Sequence, residues 1–134
     1  MSCIAGVFSP HHHEILPGIF EKIEHRSTSP PNLWTGLKAS LGAAALTALQ
    51  EKPGPITIPS EERAIVMDGS LVSQDGLQDL LKFHKLIEGS DTEVVLHAYE
   101  ERGTRIFGQL EGEFALAILD GDRFVLARDR LGIK

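Results

Sequence analysis

Ser2 and Cys3 are the residues best placed for covalent chemistry, because they directly follow the initiator methionine in the opening MSCIAGVF. A small residue at position 2 permits removal of Met1, so the mature chain is expected to begin at Ser2. A free α-amino group titrates near ~7.7–8.0, which gives a terminal Ser or Cys a general base on its own backbone. Two readings stand side by side: an N-terminal nucleophile, or ordinary leader residues ahead of a core strand. The run His11-His12-His13 invites a metal. Consecutive residues in a loop do not share a face, however, and no second ligand cluster adjoins them in sequence. A polar loop is expected there, and neither a metal site nor another cofactor.

The strand behind Ser2 and Cys3 is Ile4-Ala5-Gly6-Val7-Phe8, whose branched, aromatic and small side chains suit a buried sheet. Residues 14–25 set Ile15, Ile19, Phe20 and Ile23 at helical spacing, with Pro17 in the first turn and a Pro-rich stop after Arg26. Two short strands are expected between Leu33 and Ala48, because Gly42 and the flanking prolines outweigh the helical preference of the alanines. Residues 50–62, with three prolines and a glycine, read as a loop. Arg63 to Met67 reads as a buried strand and Asp68-Gly69 as a two-residue hairpin turn, with Leu71-Val72 beginning the return.

Asp75 is expected to cap a helix over 76–88 that carries Leu77, Leu80, Leu81 and Leu86 and stops at Gly89. Ser90, Asp91, Thr92 and Glu93 supply an N-cap and an acidic first turn for a second helix reaching Gly103, with Val94, Val95, Ala98 and Tyr99 facing inward. A short helical or turn segment spans 105–110. Residues 114–119 and 124–127, joined through Asp120-Gly121-Asp122, form the clearest pattern, an antiparallel hairpin.

At 134 residues and 42% hydrophobic content the chain can bury its own core, and a single domain over residues 1–134 is expected. Its net charge of −6, spread without a Lys/Arg cluster, disfavours nucleic acid and favours small-molecule or protein partners. One cysteine makes no internal disulfide, and no apolar run approaches the ~18–20 residues of a membrane span. With no charged-then-apolar leader either, a cytoplasmic protein without a membrane partner is expected. The strand at 124–127 has no following partner strand, which predicts a continuation of the chain or a homo-oligomer covering that edge.

Three stretches together, CIAGVF, SDTEVVLHAYEERG and LEGEFALAILDGDRFVLARDRLGIK, resemble the N-terminal glutaminase domain of glutamine-hydrolysing asparagine synthetases, the class II glutamine amidotransferases. The resemblance runs in order over nearly the whole chain. It implies an α+β fold of the N-terminal nucleophile hydrolase type, a four-layer αββα sandwich of antiparallel sheets, here without the family's C-terminal strands. It also implies glutamine as the small molecule bound, no cofactor, and a synthetase-like partner domain or subunit that uses the ammonia on aspartate.

The family begins Met-Cys-Gly-Ile-Ala-Gly, so alignment on IAGVF puts Ser2 at the nucleophile position and Cys3 in place of glycine. A one-residue shift turns a strand side chain to the opposite face, which makes Ser2 the geometric candidate and Cys3 the chemical one. The resemblance places Asp68-Gly69 where the family's Asn-Gly pair donates to the tetrahedral oxyanion, and Asp91 where the substrate ammonium binds, beside its reading as part of a helix cap. Arg26 is retained as a substrate-binding candidate, but Ser27-Thr28-Ser29 follows it where the family has Gly-Pro-Asp. The arginine that grips the glutamine α-carboxylate is replaced within Ala43-Ala44-Ala45. An ionised Asp68 has no proton to donate, and loss of one oxyanion donor typically costs about 10²–10³ in rate. A degenerate site, weak or inactive towards glutamine, is therefore favoured over a working glutaminase using Ser2 or Cys3; a non-catalytic scaffold or oligomerisation domain is the alternative.

Overall fold

The computed structural model describes residues 2–45, 54–58 and 62–134, with the side chains of Ser2, Ile58 and Gln78 outside that description. Strand β1 (Ser2–Phe8) leads into helix α1 (His12–Ile23), a 3₁₀ turn (Glu24–Arg26), and strands β2 (Asn32–Thr35) and β3 (Ala39–Ala45). These strands make one antiparallel sheet in the order β1-β3-β2. The second sheet, in the order β4-β5-β6-β7, comprises β4 (Ile56–Ile58), β5 (Arg63–Leu71), β6 (Gly112–Asp120) and β7 (Arg123–Arg128). Between β5 and β6 run a short helix α2 (Gln78–Leu81) and the longer α3 (Asp91–Arg102).

Strand alternation sorts the apolar residues into three cores. On β1 and β3, Cys3, Ala5, Val7 and Ala44 pack against Leu16, Phe20 and Ile23 of α1. The opposite face, with Ile4, Ala39, Leu41 and Ala43, meets Ala64, Val66, Ala117 and Leu119 of the second sheet. That sheet's far side, with Ile65, Phe114, Leu116 and Ile118, receives Val94, Val95, Ala98 and Tyr99 from α3. The layers are thus α1, sheet, sheet and α3, the αββα order that period-two burial on both sides of each sheet requires. All seven residues of β3 are buried, because it is the central strand of its sheet with a layer on either side. A Cβ on Gly42 would lie 2.5 Å from the Phe20 ring, so the small residues of this strand are what let α1 approach.

Four local expectations are corrected. No hairpin turns at Asp68-Gly69: β5 continues to Leu71, paired with β6 from Arg63 opposite Asp120 to Leu71 opposite Gly112. Gly69 is needed for close approach instead, since its φ is 120° and a Cβ there would stand 1.9 Å from the Glu113 carbonyl oxygen. The stretch read as a loop over 50–62 contains β4, paired with β5, while 46–53 and 59–61 lie outside the described residues.

The helix expected over 76–88 contracts to a 3₁₀ turn (Asp75–Leu77) and α2. The backbone N–H groups of Ile87, Glu88 and Gly89 instead donate to the buried Glu93 carboxylate at 2.7, 2.9 and 2.8 Å, and so close no helical turn. Burial pushes the Glu93 carboxyl up, but these three hydrogen bonds and the nearby His97 outweigh it and hold the group below its ordinary range. Lastly, His12 is no loop residue: it opens α1, is buried, and sets Nδ1 2.7 Å from Ser40 Oγ. Among the described residues, no helix is long and apolar enough to cross a membrane.

Candidate functional site

The start of β1, the end of α1 and the middle of β5 converge on a cavity of about 310 Å³. Cys3 and Ile4 line it from β1, Ile19 and Ile23 from α1, Arg26 from the 3₁₀ turn, and Asp68 with its cross-strand partner Ala115 from the second sheet. A larger hollow of about 600 Å³ lies between α1 and residues 27–33, but it offers neither a thiol nor a paired cation and carboxylate. Its Ser29 hydroxyl is engaged with the backbone of Ala45, and its Ser27 hydroxyl with the carbonyl of Ser29. The smaller cavity is where chemistry is available.

Three of the residues singled out in the sequence, Cys3, Arg26 and Asp68, therefore share one cavity. Cys3 is only 6% exposed, and its burial pushes the thiol up. The Arg26 charge acts downward, the Asp68 charge upward and the Ala44 N–H downward, leaving the thiol above its ordinary range. A thiol held protonated at neutral pH is a poor nucleophile. It also packs on the α1 side of its sheet, with Leu16 and Phe20, whereas its neighbour Ile4 faces the other sheet. The backbone of Ser2 pairs opposite Ala45, and its side chain lies outside the described residues.

Asp68 is 14% exposed and meets a residue that sequence reading passed over: Lys134 Nζ lies 3.5 Å from its Oδ1. Lys134 is delivered by a turn built on Asp129. One Asp129 oxygen accepts the N–H groups of Leu131 and Ile133, the other that of Lys134, each at 3.0 Å. These hydrogen bonds, Ile133 foremost, hold the Asp129 carboxyl down at about 2 against the opposing effect of burial. The available signal was an Asp three residues before Gly132, whose φ of 69° marks the turn.

Asp91 stands apart from this cavity. Its carboxylate accepts Leu71 N–H at 2.8 Å and Gln74 Nε2 at 2.6 Å, tying the loop after β5 to α3. The helix cap itself is Ser90, whose Oγ accepts Glu93 N–H at 3.3 Å. Gly69 follows Asp68 along β5, opposite Phe114. On β3, Ala43, Ala44 and Ala45 are 2%, 0% and 0% exposed, so the strand holds no cation and leaves little room for one.

A small cavity lies between facing antiparallel sheets, and residues 1–134 match the glutamine amidotransferase domain family. The chain belongs to that family. Among curated proteins, this amidotransferase domain is 31% identical over 120 residues to asparagine synthetase [glutamine-hydrolyzing] 3 of Arabidopsis thaliana. It is 32% identical over 120 residues to the asparagine synthetase [glutamine-hydrolyzing] of Asparagus officinalis. Both alignments cover 84% of this chain and 20% of the relative, so the chain spans about a fifth of the length of the curated relatives it matches. The glutamine phosphoribosylpyrophosphate amidotransferase of B. subtilis superposes with a TM-score of 0.75 at 16% identity, over 100% of this chain and 38% of that one. The fold of this amidotransferase domain is accordingly that of the N-terminal nucleophile amidotransferases, as the two stacked antiparallel sheets require.

Proposed function

We propose that this domain is a glutaminase-type module with a weakened site, which binds glutamine or a related small molecule and serves a synthetase-like partner. The observation that carries the proposal is Asp68, a carboxylate on the cavity wall whose charge opposes thiolate formation at Cys3. In a working site the terminal α-amine would take the proton of the Ser2 hydroxyl as its oxygen attacks the side-chain amide carbon of glutamine. The oxyanion would need donors, Gly69 N–H among them, and its collapse, with the α-ammonium returning its proton to the leaving nitrogen, would expel ammonia and leave an acyl-enzyme for water to hydrolyse to glutamate. Asp68 repels that oxyanion, and Arg26 is the cation lining the cavity that could hold the substrate's α-carboxylate.

Ammonia release from glutamine is expected to stand near background for the intact chain, with intact-mass measurement establishing whether Ser2 is terminal. Asp68→Asn should raise the rate by about tenfold or more, since it restores a donor and removes a charge. Turnover at an ordinary enzyme rate, abolished by Ser2→Ala, would overturn the weakened-site reading. The second reading, a non-catalytic scaffold, is favoured by the alanine-only stretch of β3; it predicts that Asp68→Asn changes nothing and that calorimetry detects no glutamine binding.

A further inference from the structure

Away from the cavity, α3 presents His97 and Glu100 three residues apart, and the segment after α2 lays His84 across them. The two imidazole rings lie 4.6 Å apart between centroids, and one ligand atom from each of His84, His97 and Glu100 falls within 4.8 Å of the others. Glu100 Oε2 is the meeting point: His97 Nδ1 is hydrogen-bonded to it and His84 Nδ1 lies 3.7 Å away. The side chains of His84, His97 and Glu100 are 18%, 17% and 15% exposed, sheltered yet reachable from solvent.

The surroundings orient this cluster as second partners orient metal ligands. His84 Nε2 donates to Glu101 Oε1 at 2.7 Å, which turns the other ring nitrogen, Nδ1, towards Glu100. Glu100 Oε1 is held 3.3 Å from Arg63 Nη1, and Arg63 Nε is anchored on Asp120 Oδ1 at 2.9 Å. The carboxylate is thus fixed through one oxygen, and the other converges with two imidazole nitrogens. His97 Nδ1 meets that oxygen as an N–H donor, and a metal ion taking the place of this proton would bring both imidazole nitrogens and the carboxylate oxygen to one centre.

We infer that His84, His97 and Glu100 bind one divalent transition-metal ion, zinc by ligand type, with Glu101 positioning His84. Two imidazoles and a carboxylate suit zinc at roughly 2.0–2.2 Å per ligand, with water as the fourth. The ligand atoms must draw together from their present spread, a side-chain movement that part-exposed groups can make. The ion would clip the non-helical segment between α2 and α3 onto α3. None of the three ligands lines the cavity of Cys3, Arg26 and Asp68, so the site stands independently of the glutaminase proposal.

The test is a titration of the chelator-stripped full chain with Zn(II) against a chromophoric competitor, together with the visible absorption of the Co(II) form. One ion per chain is expected, with the strong bands of tetrahedral cobalt and a raised melting temperature. His84→Ala and His97→Gln should each weaken binding by about tenfold or more and abolish the thermal shift. His84→Ala carries the test if His97→Gln fails to fold, because His84 lies outside the helix. His11 and His13, exposed near the chain start, are the competing source of metal affinity, and changing both to Ala should leave binding unaltered. Absence of binding in the micromolar range overturns the inference. So does binding that survives His84→Ala with His97→Gln, whether His11 and His13 or other residues then hold the ion.

Discussion

Lys134 Nζ stands 3.5 Å from Asp68 Oδ1, which joins the turn after β7 to the carboxylate of the candidate site. The pairing draws together two charges that would separately disturb a buried cavity. Asp68 brings a negative charge to a wall shared with Cys3, and Lys134 supplies a positive one beside it. With side chains 22% and 14% exposed, the pair is partly screened by solvent and contributes on the order of 1 kcal/mol or less. Its effect falls on the electrostatics of the cavity more than on folding.

Cys3 is expected to alkylate more slowly at neutral pH than an unhindered cysteine, because burial and Asp68 keep its thiol protonated. Asp68→Asn removes the charge that opposes the thiolate, so the pH midpoint of alkylation should move down. Arg26→Met removes the larger opposing influence, so the midpoint should move up. Rates of iodoacetamide labelling across a pH series check both directions, and equal midpoints in all three proteins would sink the electrostatic account.

Asp129 should make stability depend on acid. Its folded carboxyl titrates at about 2, below the ~3.9 of an unfolded Asp, so its contribution is fully present above about pH 4 and disappears as pH falls through the folded value. Asp129→Asn is expected to melt lower than the unsubstituted chain at neutral pH, with the gap narrowing between about pH 4 and pH 2. A gap that stays constant across that window would show the carboxylate charge to be unimportant for the turn.

Gly69→Ala is expected to destabilise the domain by roughly 2–5 kcal/mol, since the positive φ and the overlap with Glu113 O both act against a Cβ. Gly76→Ala, with nothing within 4 Å, is the control and should change stability by less than about 0.5 kcal/mol. Urea unfolding of the two variants measures the contrast, and equal midpoints would mean that β5 shifts to accept the side chain.

Periodicity in the sequence determined the elements whose burial is one-sided or continuous: β1, α1, α3 and the β6–β7 hairpin all form where their apolar residues recur. The motifs at the start, middle and end of the chain were enough to assign the family that the whole-length match bears out. Only tertiary structure decided the rest, because the deciding partners are distant in sequence. Asp68-Gly69 carries the local signature of a turn, yet nine cross-strand pairs with β6 draw it into a continuous strand. His12 looks like part of a polar loop until Ser40, from β3, arrives beneath it. The helix expected over 76–88 satisfies its leucine spacing, but the Glu93 carboxylate takes the N–H groups of Ile87 and Glu88 at its end, and of Gly89 beyond it. Lys134 becomes a neighbour of Asp68, and His84 of Glu100, only once the sheets and α3 are packed. Local propensity reports what a segment prefers alone, whereas charge pairing and close backbone approach depend on which surfaces the fold brings together.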